Sequence, residues 1–476
     1  MERFAEHLAA PAGLGERPDG ACDGAAGGSV CGDLIRVSVR VDGDRVGAAG
    51  FDAEGCGALT AAGSAAVTLV AGAPLLAAAR VSSAAIASEL GGLSPGKLHA
   101  ADLAADALHR ALGAAARGAG LEPDPARTLV AMSGGVDSAV AALLCARAGR
   151  AAVAVTLELW ADPEHDASAS CCSASAVRHA RALAHRMGLP HLTLDERPAF
   201  RAGVVEPWVA EHAAGRTPNP CVRCNGHVRL DAMLALADAL GAAELATGHY
   251  ARRTPDGLLR AAADPAKDQA YALAALSPAS LARLRFPLGE LAKPQVRAIA
   301  REAALPVAEQ ADSQDLCFLA GTGRAAFLAR HGGMRERAGA ILDTAGRELG
   351  RHRGHHLYTV GQRRGLGIAA GEPLYVLATD PRTNTVTVGP RAALAGRSVA
   401  VRGAVLHRPG AEVDAVKLRY RARPVACRVA GAAAPGRHRA LALELAEPGD
   451  RTAPGQTACL LRGDVVVGYG TVAASQ

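Results

Sequence analysis

The sequence predicts a multidomain protein in which an α+β domain, a doubly wound parallel α/β domain and a small β-barrel follow one another. A chain of 476 residues is long enough for about three domains. From residue 128 onward, short apolar strand patterns alternate with helical patterns, which is typical of a parallel sheet with helices on both faces. From residue 394 onward, short strand patterns are separated by turns rich in Pro and Gly, which indicates an all-β barrel.

The composition indicates a globular protein without a membrane segment. Hydrophobic residues make up 50% of the chain, and the net charge of +6 is too small to indicate nucleic-acid binding by itself. The N-terminus lacks the layout of a signal peptide, so the eleven cysteines favour reduced thiols in the cytoplasm. Nearly all basic residues are Arg, and the only lysines are Lys97, Lys267, Lys293 and Lys417. Each of these lysines is a weak indication that a point charge matters at its position.

The N-terminal 115 residues combine two strands with several Ala-rich helices. Residues 35–41 alternate between apolar and polar side chains, Asp42-Gly43 supplies a turn, and residues 46–51 follow as a second strand. Helical patterns then cover about 58–79, 83–90 and 99–112.

Metal-ligating residue types gather in the loops of this N-terminal region. The candidate ligands are Cys31, Asp33, Cys56 and His99. Thiolates, an imidazole and a carboxylate on converging loops can hold a soft metal ion or an iron–sulfur cluster. Taken singly, each cysteine is explained more simply as a small buried hydrophobe.

Three segments of this region resemble the IscU/NifU-type iron–sulfur scaffold family. They are Ser29–Asp33, Phe51–Gly57 and Leu90–His99, and the resemblance covers residues 14–115. It implies an IscU-like α+β fold for a domain of residues 1–115. In that family a third Cys follows the His directly, and here this position is Ala100. The resemblance therefore implies a derived module that keeps the fold and docks a cysteine desulfurase, and that holds a cluster only with an incomplete set of ligands.

A glycine-rich loop follows the first strand of the central region. Residues 129–132 are strand-like, the loop continues through Ser133-Gly-Gly-Val-Asp-Ser138, and a helix pattern begins at Ala139. Glycines let the backbone approach a ligand, and the N–H groups of the loop and of the helix N-terminus suit a phosphate. No Lys-Ser/Thr pair follows the glycines, so the loop is not a P-loop. Its pattern resembles the pyrophosphate loop of enzymes that cleave ATP to AMP and pyrophosphate.

Strands and helices alternate after this loop, as a parallel sheet requires. We predict strands at 152–157, 191–194 and 244–247 and helices at 174–187 and 230–240. Residues 113–125 are rich in Gly and Pro without periodicity, and we place a linker at 116–127. The predicted domain that follows covers residues 128–335.

A pair of cysteines lies in a segment with two prolines. We expect Gly215–Asn225 to form a rigid exposed loop, because its prolines disfavour regular structure. Cys221 and Cys224 form a C-x2-C pattern, which indicates half of a zinc site or a redox pair, and Arg216 and Arg223 would lower a thiol pKa. Cys317 follows a helix predicted at 293–304 and is by default a core residue.

Many ordered motifs over residues 128–390, and more loosely over 395–474, resemble the tRNA-specific 2-thiouridylase family, usually called MnmA. The matching pieces include the 133–138 loop, the 215–220 and 224–225 segments, Ala246–Tyr250, Lys267–Gln269, Asp312–Phe318, His356–Gln362 and Leu418–Tyr420. The resemblance implies an adenine nucleotide alpha hydrolase-like catalytic domain that uses ATP and Mg²⁺.

The resemblance also implies the roles of individual residues. The nucleophile is Cys224 and the persulfide-carrying thiol is Cys317. Cys221 is a further candidate catalytic residue, since it stands where other members have an Asp that is a candidate acid/base. Members with Cys at this place leave open a three-thiol iron–sulfur site of Cys221, Cys224 and Cys317. The ATP contacts carry over to Ala131, Met132, Ser133, Gly134, Gly135, Val136, Asp137, Ser138, Leu157 and Gly248. The tRNA contacts carry over to Asn219, Pro220, Cys221, His249, Lys267, Asp268, Gln269, Gln362, Arg419 and Tyr420.

The C-terminal third begins with a basic region. Residues 347–366 hold five Arg and three His, which favours a central tRNA-binding linker domain at 336–393, although a solvated basic face is the commoner explanation of such a cluster. Residues 374–377 and 385–388 form a predicted hairpin. The barrel strands are predicted at 399–405, 416–420, 426–429, 440–445, 458–461 and 465–469.

The resemblance thus implies ATP-dependent 2-thiolation of the wobble uridine, U34, of tRNA. The uridine O2 would be adenylated, and a cysteine persulfide would then deliver sulfur to C2. The expected partners are the anticodon arm of tRNA and a sulfur donor such as a cysteine desulfurase or a persulfide relay protein, with no membrane. Three alternatives stay open: an iron–sulfur-dependent thiolation, a non-catalytic iron–sulfur carrier with a vestigial loop, and another ATP-pyrophosphatase such as an amidotransferase-type synthetase.

Overall fold

The structure is a computed structural model that describes residues 2–27, 32–161, 174–312, 316–319 and 321–474. Its chain divides into two units that interleave along the sequence. The first unit consists of Met1–Pro198, Asp231–His249 and Arg283–Phe318, and the second of Ala199–Leu230, Tyr250–Ala282 and Leu319–Gln476. Among the described helices, none is long and apolar enough to cross a membrane.

The helices and strands of both units are numbered along the chain. The α-helices are α1 Glu2–Ala9, α2 Gly57–Val70, α3 Leu75–Ala78, α4 Ser83–Glu89, α5 Leu98–Ala116, α6 Val136–Arg147, α7 Ala174–Arg186, α8 Arg197–Phe200, α9 Glu206–Ala213, α10 Pro220–Cys224, α11 Leu230–Ala239, α12 Pro278–Ala282, α13 Lys293–Glu302 and α14 Arg324–Gly332. The strands are β1 Cys22–Gly27, β2 Leu34–Asp42, β3 Arg45–Glu54, β4 Asp124–Ala131, β5 Ala151–Glu158, β6 His191–Asp195, β7 Ala242–Thr247, β8 Ala251–Arg253, β9 Leu259–Ala261, β10 Leu284–Arg285, β11 Gly339–Leu342, β12 Glu348–His352, β13 Tyr375–Asp380, β14 Thr385–Gly389, β15 Ala395–Leu406, β16 Ala415–Lys417, β17 Val425–Val429, β18 Gly436–Asp450, β19 Thr457–Arg462 and β20 Val465–Val472.

The N-terminal part of the first unit is an α+β domain, as predicted. Its antiparallel sheet has the order β1-β2-β3, and Gly43 takes a φ of +63° in the turn between β2 and β3. The apolar residues of the alternating strand, among them Val37 and Val39, are fully buried together with Phe51. Helix α5 packs on β1 and β2, and α2 packs on β3. Alternating strand residues and Ala-rich helix faces thus form one core.

The parallel sheet of the first unit has the order β10-β7-β4-β5-β6, with every pair parallel. The predicted strands 129–132, 152–157, 191–194 and 244–247 correspond to β4, β5, β6 and β7. The doubly wound class is therefore confirmed. The edge strand β10 was not predicted, since two residues are too few to show a period.

Helix α5 joins the N-terminal domain to the edge of this parallel sheet, within the first unit. It extends to Ala116 and β4 begins at Asp124, so both ends of the predicted 116–127 linker lie in regular structure. Gly113 of α5 lies so close to β6 that a Cβ there would be 1.9 Å from the carbonyl oxygen of Thr193. The backbone N–H of His191 in β6 donates to the carbonyl of Ala79 at 2.8 Å.

Buried polar groups line the contact between α5 and the sheet. Asp106 accepts hydrogen bonds from Arg178 and Arg181, both at 2.5 Å. Arg110 donates to Glu158, the last residue of β5, with its Nε 3.0 and 3.1 Å from the two carboxylate oxygens. His109 Nδ1 lies 2.8 Å from the carbonyl oxygen of His191. These paired charges make the contact a specific packing surface.

Two sheets form the second unit. The smaller sheet has the order β12-β11-β14-β13, and its antiparallel pair β13–β14 is the predicted hairpin. The larger sheet runs β15-β18-β17-β16-β19-β20, and an additional pairing between β15 and β20 closes these six strands into a barrel. The hairpin β8–β9 adds to β20 outside the closed ring. The predicted C-terminal barrel is thus confirmed.

The segment 215–225 differs from the prediction of an irregular exposed loop. Residues Pro220–Cys224 form α10, with Pro220 at the first helical position and the Asn219 side chain accepting a hydrogen bond from Cys221 N at 3.0 Å. Proline at this position loses no helical hydrogen bond and has the φ that a helix needs. The prediction was wrong because it took proline only as a helix breaker.

Candidate functional site

The 131–138 loop connects β4 to the N-terminus of α6 in the first unit. Gly134 has a φ of +81°, and a Cβ there would lie 3.2 Å from the carbonyl oxygen of Ala176. The hydroxyl of Ser138 accepts from Ser133 N at 3.1 Å and donates to Gly135 O at 3.0 Å. Ser138, in the first turn of α6, thus ties the loop to the start of the helix. The free N–H groups at a helix N-terminus attract anions.

Gly248 brings the end of β7 against this helix N-terminus. A Cβ at Gly248 would be 2.8 Å from Asp137 C and 2.8 Å from Ser138 N, so a larger residue would push the two segments apart. Leu157 lies near the end of β5 and is buried. The predicted nucleotide-contact residues thus lie at the carboxyl ends of neighbouring strands β4, β5 and β7.

Lys293 is a residue of this site that the sequence interpretation did not assign. It is the first residue of α13 and is 7% exposed. Its Nζ lies 2.7 and 2.8 Å from the two carboxylate oxygens of Asp137 and 2.8 Å from Oδ1 of Asp312. The one available signal was that Lys293 is among only four lysines in an Arg-rich chain.

Cys221 and Cys224 occupy one helical turn in the second unit. Cys221 is exposed, whereas Cys224 is buried at the end of α10. The guanidinium of Arg216 pairs with Glu211, at 2.6 and 2.8 Å, and Arg223 Nε donates to the carbonyl of Gly203 at 2.5 Å. Both predicted activating arginines are thus engaged with other groups.

Cys317 belongs to the first unit and is partly buried. Its pairing with Cys224, which belongs to the second unit, stays a prediction. Three other cysteines are core residues: burial raises the pKa of Cys145 and of Cys427 to about 11 and that of Cys459 to about 12. Thiols with such pKa values are poor nucleophiles. The adjacent Cys171 and Cys172 lie outside the described residues.

Several predicted tRNA-binding residues have well-defined places in the second unit. Gln362 and Arg419 line one cavity of about 310 Å³. The carboxylate of Asp268 caps Ala262 N and Ala270 N, at 3.2 and 3.1 Å, and pairs with Lys417 at 3.3 Å. The side chain of Gln269 accepts from Tyr250 N at 2.9 Å. Asp268 and Gln269 therefore have a structural role in addition to any contact with RNA.

The remaining predicted tRNA contacts are Tyr420 and Lys267, the residues at the start of α10, and His249. Tyr420 is 39% exposed, and its ring lies 6.2 Å from that of Tyr271. Asn219 and Pro220 start α10, and Lys267 is partly exposed. In the first unit, His249 Nδ1 lies 3.0 Å from the hydroxyl of Thr247.

Three of the four predicted metal ligands converge in the N-terminal domain. The ligand atoms of Asp33, Cys56 and His99 all lie within 4.8 Å of one another. The buried carboxylate of Asp33 lies 3.1 Å from His99 Nε2 and 3.2 Å from Cys56 N. The fourth, Cys31, lies outside the described residues. Ala100 is fully buried at the start of α5 and offers no ligand atom.

The sequence matches four protein families in the order of these structural parts. Residues 1–117 match the NifU-like N terminal domain, 126–321 the tRNA methyl transferase HUP domain, 325–390 the tRNA methyl transferase PRC-barrel domain, and 408–472 the aminomethyltransferase beta-barrel domain. Fold and sites thus define a fusion of a NifU-like domain with a HUP-domain protein that ends in a β-barrel.

Curated relatives match either the whole chain or about three quarters of it. The bifunctional protein NifU/MnmA of Rubrobacter xylanophilus is 43% identical, over 99% of this chain and 98% of the relative. The tRNA-specific 2-thiouridylase MnmA of Methylorubrum extorquens is 44% identical over 74% of this chain and 94% of the relative, and that of Moorella thermoacetica is 41% identical over 72% and 98%. The chain belongs to the bifunctional NifU/MnmA family.

Proposed function

We propose that this protein is a tRNA-uridine 2-sulfurtransferase that thiolates the wobble uridine of tRNA at the expense of ATP. The observation that carries the proposal is the nucleotide loop at the start of α6, which is closed by Ser138 and approached within van der Waals distance by Gly248. Membership in a family whose relatives are named 2-thiouridylases supports the same reaction.

The first step is adenylation of the uridine. A pyrimidine carbonyl oxygen is a poor leaving group, so the uridine O2 attacks the α-phosphorus of ATP, and the bond to pyrophosphate breaks. The backbone N–H groups of the loop and the positive end of α6 stabilise the departing pyrophosphate. Mg²⁺ would neutralise phosphate charge, and Asp137 is the carboxylate of the loop that could hold it.

The second step moves sulfur. The terminal sulfur of a Cys317 persulfide forms a bond to C2 of the uridine, and AMP leaves with the former O2. The Cys224 thiolate then attacks Sγ of Cys317, which breaks the persulfide bond and leaves sulfur on C2. The resulting disulfide is opened by an external thiol reductant, and a sulfur donor reloads Cys317. The target base must leave the anticodon stack for this chemistry.

The proposed role of the N-terminal domain is to supply sulfur or a metal ion for the reaction. Asp33, Cys56 and His99 fit one metal ion, because three donors of suitable type converge. With Cys31 they would make up four candidate ligands, and Ala100, where the scaffold family has a further Cys, adds none. From this missing thiol we propose that the domain recruits a sulfur donor, such as a cysteine desulfurase.

The test is thiolation of a tRNA transcript, together with tRNA-dependent release of pyrophosphate from ATP. Asp137→Asn should stop pyrophosphate release and leave tRNA binding intact, while Cys224→Ser and Cys317→Ser should release pyrophosphate without thiolation. Cys427→Ala, a buried barrel thiol, is the matched control. Retained pyrophosphate release by Asp137→Asn would contradict the nucleotide assignment, and thiolation without ATP would contradict the whole proposal.

An iron–sulfur-dependent reaction is the second candidate, since the helix of Cys224 also carries Cys221. It predicts iron and sulfide in anaerobically purified protein and loss of both with Cys221→Ser. Full activity of iron-free protein would exclude it.

A further inference from the structure

Helix α10, which carries Cys221 and Cys224, is held by a short 3₁₀ turn of the same unit, Ala270–Leu273. Asn225, the residue after Cys224, is buried, and its Nδ2 donates to the carbonyl oxygen of Ala272 at 3.2 Å. A buried amide needs a hydrogen-bond partner, so this contact fixes the end of α10 against the turn.

Tyr271, inside this turn, connects it to the C-terminal barrel. Its side chain is 1% exposed, and its hydroxyl donates to the backbone carbonyl of Thr457, the first residue of β19, at 3.0 Å. Burial raises the pKa of Tyr271, so the hydroxyl keeps the proton that it donates. Hydrogen bonds with Thr457 and with the side chain of Asn219 act on this pKa in the opposite direction. The hydroxyl thus meets both the barrel and the residue that caps α10.

Asn219 has a free donor for this contact. Its Oδ1 accepts from Cys221 N at 3.0 Å as the cap of α10, so its Nδ2 is the group that can donate to the hydroxyl oxygen of Tyr271. A tyrosine hydroxyl can accept one hydrogen bond while it donates another. A path of hydrogen bonds therefore runs from the backbone of β19 through Tyr271 and Asn219 to the first turn of α10.

The barrel also holds the start of the 270–273 turn. Asp268 accepts from Ala270 N at 3.1 Å and pairs with Lys417, the last residue of β16, at 3.3 Å. The ring of Tyr420, a predicted tRNA contact, lies 6.2 Å from the ring of Tyr271, within the range of an aromatic pair. The part of the second unit that would meet RNA is thus in contact with the turn that holds the helix of the thiols.

We infer that Tyr271 is a positioning residue for the sulfur-transfer step. Its hydroxyl fixes the cap of α10 to the barrel, and α10 carries the Cys224 thiol that must attack at the correct distance and angle. A displacement of about 1 Å of a reacting group can cost about 100-fold in rate. Phenylalanine would fill the same space but could not connect the barrel carbonyl to the cap. This inference rests on the proposed role of Cys224 as the nucleophile.

The experiment compares Tyr271→Phe with the wild type in single turnovers of the full-length protein. A cysteine desulfurase and cysteine load the persulfide first, and pyrophosphate release and thiouridine formation are then followed in the same samples of a tRNA transcript with ATP. Thiouridine formation should be slower by about fivefold or more, the factor that one neutral hydrogen bond supplies. Pyrophosphate release and the Kd for tRNA should change by less than about twofold, because the nucleotide loop and the basic groups are unaltered.

Two further variants separate positioning from a general loss of structure. Asn225→Ala removes the other contact between α10 and the turn, and it should also slow thiouridine formation more than pyrophosphate release. Tyr469→Phe is the matched control, since Tyr469 is a partly buried tyrosine of β20, and both of its rates should equal those of the wild type. A partly unfolded variant would lose both rates by the same factor, so the ratio of the two rates reports positioning alone.

The outcomes distinguish this inference from the proposed function. Thiouridine formation by Cys224→Ser at the wild-type rate would overturn the role of the nucleophile and this inference with it. If Cys224→Ser is inactive but Tyr271→Phe forms thiouridine within about twofold of the wild-type rate, only the role of Tyr271 is overturned. Equal losses of pyrophosphate release and thiouridine formation in Tyr271→Phe would also overturn only that role.

Discussion

Gly113→Ala tests the packing of the N-terminal domain on the nucleotide sheet. In an ordinary helix interior, Ala is more stable than Gly by about 1 kcal/mol. Here the new Cβ would lie 1.9 Å from the Thr193 carbonyl oxygen, and ordinary contact begins near 3.4 Å. Because the obstacle is backbone, α5 and β6 would have to separate by about 1.5 Å, the difference between these distances.

Such a separation would break the polar contacts on either side of Gly113. His109 and the His191 carbonyl are now 2.8 Å apart, and Arg110 and Glu158 are 3.0 Å apart, so both contacts would exceed hydrogen-bond length. A neutral hydrogen bond contributes about 1 kcal/mol and a charged one about 1.5–3 kcal/mol. After the helix-propensity gain is subtracted, we expect a net destabilisation of about 1.5–3 kcal/mol.

The assay is urea unfolding of the full chain, together with amide hydrogen exchange of α5 and β6. Exchange should accelerate in both elements, since their opening costs less free energy. Gly118→Ala is the control, because the nearest atom to its Cβ is 3.9 Å away. A Gly113→Ala protein as stable as the wild type, or more stable, would refute the close packing of α5 on β6.

Three further predictions concern thiols, pH and metal. Cys221→Ser should keep thiolation while Cys224→Ser loses it, measured as thiouridine formed per tRNA; loss in both would favour a cluster. Burial lowers the pKa of His185 to about 4 from its ordinary 6.5, so the unfolded chain binds this proton more tightly and stability should fall as the pH drops from about 6.5 to 4. His185→Gln should flatten this pH dependence of the unfolding midpoint, and an unchanged slope would contradict it. Cys56→Ser should abolish the thiolate-to-metal absorption band in a Co²⁺ titration of the full chain, and a persistent band would exclude the Asp33–Cys56–His99 site.

Local patterns predicted most of the fold. Alternation over 35–41 gave β2, and the short apolar runs after residue 128 gave four of the five parallel strands, because burial on two faces demands continuous apolar residues. The closed barrel followed from repeated short strands and turns. What local patterns missed was α10, where Asn219 and Pro220 are in fact favourable start signals for a helix.

The candidate site was predicted only where one segment carries it. The 131–138 loop is continuous in sequence, so its residues could be named from a motif. Lys293 and Asp137 are 156 positions apart, and no periodicity relates them. The contact of α5 with β6 is of the same kind: a helix that is buried on nearly all sides must pack on a second surface, but its sequence does not identify which one.

The contact of α5 with the sheet also changes what the N-terminal domain can be. The sequence predicted a Gly- and Pro-rich linker at 116–127 between this domain and the parallel sheet. Instead, α5 carries His99 of the metal-ligand group in its first turn and supplies Arg110 and Asp106 to the ion pairs with Glu158 and Arg181. Removing the domain would expose this apolar and charged packing surface to water and would take away the partners of Glu158 and Arg181. Packing alone therefore favours retention of the domain even where Ala100 replaces a ligand.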